Sequence, residues 1–151
     1  MSEVKRIIDQ LERSFKGEAW HGPSVLEVLS GVSVENASSR PIEAAHTIWE
    51  ITLHIRAWLY HVCKRLEGEP FEPTTEQDWP PASATENAWQ QTQQDLNDVY
   101  EKLQKKVSEL SDEDLEVKDV PGKPYTLYFM IHGVIQHNLF HAGQIAVLKK
   151  A

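Results

Sequence analysis

Four long stretches of the chain place apolar side chains three and four residues apart, the spacing that gives an amphipathic α-helix its buried stripe. The first runs about Ser2–Lys16, with Val4, Ile7, Ile8, Leu11 and Phe15 on one face. The second is predicted from Pro41, a favourable first-turn residue after Ser38 and Ser39, to Glu67, just ahead of Gly68 and Pro70. Its stripe is Ile48, Ile51, Ile55, Trp58, Val62 and Leu66. The third opens on a Ser83–Glu86 capping box and carries Trp89, Leu96, Val99, Leu103, Val107 and Leu110. The fourth, about Tyr125–Lys149, aligns Leu127, Met130, Val134, His137, His141, Ile145 and Leu148.

The connections differ in length. Gly17–Pro41 is broken and holds one short helix at Ser24–Leu29, after the loop Trp20-His21-Gly22-Pro23. Gly68–Pro81 contains four prolines, and Ser111–Pro124 is polar. No strand pattern competes, so the expectation is an all-α four-helix bundle occupying residues 1–151 as one domain. The Gly68–Pro81 connection is long enough to carry the chain back along the bundle. Helices two and three are therefore expected to run parallel, with helix four antiparallel to both.

Composition narrows the function. At 151 residues with a net charge of −8 and pI near 5.3, the chain offers no basic surface for nucleic acid or for anionic membranes. It has no run of eighteen apolar residues, so a membrane span is not expected. Met1–Gln10 lacks the apolar core and cleavage site of a secretory signal, and the lone Cys63 has no internal disulfide partner. A reducing cytoplasm is the expected location.

The chemistry lies in the histidines. There are seven, so one pair at four-residue spacing would arise by chance roughly one time in four, and His137-x-x-x-His141 is weak by spacing alone. Its position adds weight: both rings lie in the apolar stripe of helix four, where two imidazoles on adjacent turns can share one ion. Each would otherwise need its own hydrogen-bond partner, which is the competing structural reading. A third ligand should come from helix two. If that helix begins near Ile42 and helix four ends near Lys149, His54 and His137 each lie about 18 Å from the same end of the bundle. His46 and His61 miss that level by roughly 10 Å, and His132 lies opposite His141 on the helical wheel. One divalent transition metal on His54, His137 and His141 is the expectation. Imidazole donors do not choose among zinc, nickel, copper and iron.

Other residues receive plainer readings. His46 and His61 are expected to be partly exposed, and His21 to be a surface loop residue or one folded over the site. Glu50, one turn before His54, is either a solvated carboxylate or a partner or base for the centre. Cys63 is expected to be a small buried hydrophobe, and Trp49, Trp58 and Trp89 core or interface residues. A metalloprotease helix would need Glu where Asn138 stands, and a di-iron bundle needs paired Glu-x-x-His motifs that the chain lacks.

The segment His137-Asn138-Leu139-Phe140-His141-Ala142-Gly143-Gln144-Ile145 resembles the C-terminal motif of the DinB/YfiT-like superfamily. Ile48-Trp49-Glu50-Ile51-Thr52-Leu53-His54-Ile55 is similar to that family's second-helix signature, and Trp20-His21-Gly22-Pro23-Ser24 extends the likeness. The resemblance implies an up-down-down-up bundle with a long crossover between helices two and three. It implies a three-histidine site, often holding nickel or zinc, at His54, His137 and His141, with Gly143 closely packed beside it. It also implies a homodimer. Some members are thiol S-transferases that use small thiols such as bacillithiol or mycothiol. The leading expectation is therefore a metal-dependent thiol transferase acting on small electrophiles, with Glu50 and His21 as helpers. A metal-dependent hydrolase, a non-catalytic stress-related metal-binding dimer and a metal-free helical domain are the rivals.

Overall fold

Each long helix opens on a hydroxyl side chain that satisfies a free N–H of its first turn. Ser2 accepts from the Lys5 N–H, Thr47 from Glu50, Thr85 from Ala88 and Thr126 from Phe129. The computed structural model describes residues 1–151, with eight helices and no strand. They are α1 (Glu3–Phe15), α2 (Val25–Leu29), α3 (Val34–Ser38), α4 (Ile48–Leu66), α5 (Thr75–Asp78), α6 (Glu86–Ser108), α7 (Asp112–Val117) and α8 (Leu127–Leu148). The four long ones, α1, α4, α6 and α8, pack around one hydrophobic cluster of 33 residues. That is the expected all-α bundle.

Cross-helix pairs fix the directions. Trp49 Nε1 donates to Thr92 Oγ1 near the starts of α4 and α6, and Glu67, which caps the end of α4, bonds Lys102 and Lys106. These two helices run side by side in the same sense. Arg65 meets Tyr125 while His54 meets His137, so α8 runs against α4. Asp112 caps the first residues of α1, and Phe15 stacks on Tyr100, so α1 runs against α6.

Two expectations about boundaries require correction. Helix α4 begins at Ile48, not near Pro41, because the Thr47–Glu50 capping box sets its start. The residues before it form α3 and a series of turns, and His46 lies outside the helix. Helix α6 is capped by Thr85 rather than Ser83. Within the Gly68–Pro81 connection the one-turn helix α5 folds over α4.

That cover explains why α4 is buried on nearly every side instead of along one stripe. His61 is 2% exposed rather than partly exposed, stacked on Phe71 of the same connection. Neither of its ring nitrogens has a hydrogen-bond partner. Cys63 is wholly buried, and burial pushes its thiol up to about 11, far from a reactive thiolate. Trp49 and Trp89 are core residues in mutual contact, whereas Trp58 is half-buried and faces a cleft. No helix is long and apolar enough to cross a membrane.

Candidate metal centre

Helices α4 and α8 bring His54, His137 and His141 together, one ring nitrogen from each lying within 4.8 Å of the others. Two of the rings are held in a defined tautomer. His54 Nδ1 is 2.7 Å from the Asp78 carbonyl oxygen, which can only accept, so Nδ1 carries the hydrogen and Nε2 keeps its lone pair. His141 Nδ1 donates to Gln144 Oε1 at 2.6 Å, with the same consequence.

His137 is the unsettled member. Its Nε2 lies 3.0 Å from His54 Nε2, while its Nδ1 is buried without a partner. If Nε2 donates to His54, Nδ1 is an orphaned acceptor; if Nδ1 carries the hydrogen, two lone pairs face each other. Leaving such a group unsatisfied costs about 1–3 kcal/mol. A cation shared by the Nε2 lone pairs relieves their repulsion and leaves only the Nδ1 hydrogen of His137 without a partner.

Electrostatics keeps all three rings neutral, the state a ligand needs. Burial pushes His137 down to about 3, with His141 and His54 adding to the effect. Burial also lowers His54 and His141, against the opposing pull of Asp78 and Gln144 respectively. Nitrogens bound tetrahedrally to one ion at about 2.1 Å lie about 3.4 Å apart, so the widest pair, within 4.8 Å, must close by about 1.4 Å. The donor set therefore fits a transition metal.

Residues around the cluster divide sharply. Trp79, directly after α5, is sandwiched between His54 at 3.8 Å and His46 at 3.6 Å, ring centroid to centroid. Asp78, Trp79 and Gln144 thus orient the three-histidine group, and none was found from sequence. Asp78 and Trp79 lie in a proline-rich connection without periodicity. Gln144 was detectable, because it sits three residues after His141 on the same helix.

Glu50 is not a free base. Burial alone would raise its carboxyl, but the Thr47 N–H and Arg40, with help from His46, outweigh that and hold it below the usual range. Its oxygens lie 2.8 Å from the Thr47 nitrogen, 2.7 Å from Arg40 and 3.3 Å from His46. His21 is exposed in its loop and is not part of the cluster. His132 packs on Tyr128 and is likewise outside it. Gly143 is not a close-packing position: it is exposed, and an added Cβ would meet nothing within 4 Å.

Comparison with known proteins agrees with the geometry. A family model described as the DinB superfamily matches residues 19–145, which include all three histidines. No curated protein and no solved structure matches the chain. With most of its length matched, this chain belongs to the DinB superfamily.

Proposed function

We propose that the protein is a metal-dependent thiol S-transferase acting on small electrophiles, with His54, His137 and His141 holding one divalent ion, nickel or zinc. The observation that carries this reading is an all-nitrogen, neutral three-histidine cluster whose member His137 also lines an open cleft. Three protein ligands leave room for an outside group, as in catalytic rather than closed structural sites. When bound, such an ion supplies Lewis acidity that lowers the pKa of a thiol.

The residues do the rest. Asp78 and Gln144 fix two of the imidazole tautomers, and Trp79 stacks over His54, shielding that face from water. In the overall reaction the thiol releases its proton, its sulfur bonds to the electrophilic carbon, and the leaving group departs with its electron pair. Thiol transfer is favoured over hydrolysis because the nearby carboxylates have other work: Glu50 is committed to Thr47, Arg40 and His46, and Asp78 accepts from Trp58 at 2.7 Å on the Nδ1 side of His54. A homodimer is supported by exposed Phe129, Phe140 and Val147, which project from one side of α8.

Elemental analysis of untagged protein tests the centre. Wild type should hold close to one ion per chain, and His54→Ala and His137→Ala less than a tenth of that. Full occupancy in both variants would sink the assignment. Chelation should then abolish conjugation of a small thiol to monobromobimane while leaving the helical signal in place. A chelator that unfolds the chain, with no thiol affinity, would point instead to a structural ion.

Gln144→Leu separates ring orientation from ligation. It keeps all three histidines but removes the acceptor for His141 Nδ1, so metal affinity should drop about ten- to a hundred-fold. Unchanged affinity in a competition titration would show that the 2.6 Å contact does not set the tautomer.

A further inference from the structure

A cleft of about 210 Å³ lies between α4 and α8, lined by Trp58, Val62, Arg65, Tyr125, Phe129, Met130, Gly133, Val134 and His137. Its wall is mostly apolar, and it includes one strong cation. Arg65 is 4% exposed, a depth at which an arginine is normally matched by a carboxylate. Here the match is loose, and the guanidinium also lies over the Trp58 ring at 5.6 Å. Arg65 Nε donates to the Phe71 carbonyl at 3.2 Å, and Nη1 to the Tyr125 hydroxyl oxygen at 3.4 Å. Glu72 is the paired carboxylate, at 3.9 Å beyond hydrogen-bond reach, and it is exposed and engaged by Lys123. Of the five guanidinium N–H groups, these contacts use two. The Tyr125 hydroxyl accepts from Arg65, which leaves its own hydrogen free to donate.

We propose that this cleft binds a small amphipathic carboxylate, an aryl or branched-alkyl acid. Its carboxylate is held by Arg65 and Tyr125, and its apolar body lies against Trp58 and Val134 beside His137. A cavity of about 150 Å³ accommodates a benzene ring, so this one takes a single ring with a short acidic arm. A phosphate dianion fits less well, because it calls for several cations and the cleft wall holds one, Arg65. The proposal names a substrate class for the centre described above and rests on that reading only for the role of His137. Binding of the acid itself requires no ion.

The test uses full-length, chelator-treated protein at pH 7, titrated calorimetrically with phenylacetate and with its neutral isostere phenylacetamide. Wild type should bind the acid at least ten-fold more tightly than the amide. Arg65→Met should abolish that preference. Tyr125→Phe, which keeps the ring and the buried guanidinium and removes only one long hydrogen bond to it, should weaken the acid several-fold and leave the amide unchanged. It decides the matter if Arg65→Met fails to fold. Equal binding of acid and amide by wild type, or undiminished acid binding by Tyr125→Phe, overturns the proposal. A wild type that holds one ion yet shows no acid preference rejects the carboxylate site alone. The preference in a protein that holds no ion even before chelator treatment supports the site and rejects only the metal reading.

Discussion

Taking the metal-free protein from pH 7 to pH 5 is expected to cost about 2 kcal/mol of folding stability through His137 alone. In the unfolded chain an imidazole takes up its proton near 6.5. In the folded chain burial, reinforced by His141 and His54, delays His137 to about 3. Between those values the unfolded state binds more protons, so stability falls as pH falls, and the loss is complete only below about 3. His54, His61 and His141 are lowered by burial as well and act in the same direction. The carboxylates do not obscure the window. Lys106 and Lys102 hold Glu67 at about 2, and Lys118 holds Asp114 at about 2, so their stabilising contribution starts to fall as the pH nears their unfolded values of 4.5 and 3.8 and is lost toward 2, mostly below the window measured. Urea unfolding with chelator present, at pH 7 and pH 5, measures the effect. His137→Leu should flatten the difference, and identical midpoints for wild type at both pH values would show that the buried rings are not held neutral.

The same burial marks where sequence patterning succeeds and where it stops. Periodicity located all four long helices because each has an apolar face wide enough to stand out. It failed on α4 where two start signals competed. Pro41 after two serines reads as a beginning, yet Thr47 and Glu50 supply the reciprocal capping contacts that define it. The shifted start also moves the origin from which the depth of His54 is counted. His54 was selected by depth from a start at Ile42, but it lies six residues after Ile48, whereas His137 lies eleven before Leu148. The helix ends are staggered, and the correct histidine emerged from an origin that the structure moves. His61 was misread because its neighbours along α4 do not reveal that a distant connection covers them. On α8 the buried face is broader than one stripe, taking in Ile131, Ile135, Asn138 and Ala142, and His137 falls at its half-buried edge. That edge position is what exposes the cluster to the cleft.

Trp89→Ala is expected to lower stability by about 3–5 kcal/mol, a large share of what a domain of this size has. Trp89 is 1% exposed, tilts against Trp49 at 5.3 Å, and donates its indole N–H to the Val32 carbonyl at 3.1 Å. Removing it leaves a cavity between α4 and α6 and an unsatisfied carbonyl ahead of α3. Trp89→Phe fills most of that space and should cost less, mainly the lost hydrogen bond. The metal centre lies on the other side of α4, where His54 faces α8 rather than α6. Protein that remains folded should therefore keep its ion. Measured together, the urea midpoint and the metal content per folded chain separate the two halves of α4. A midpoint shift worth less than about 1 kcal/mol would mean that the tryptophan pair does not anchor α4 to α6. Loss of metal from folded Trp89→Ala would mean that the position of His54 is set from the α6 side, through Trp49, and not by Asp78 and Trp79 above it.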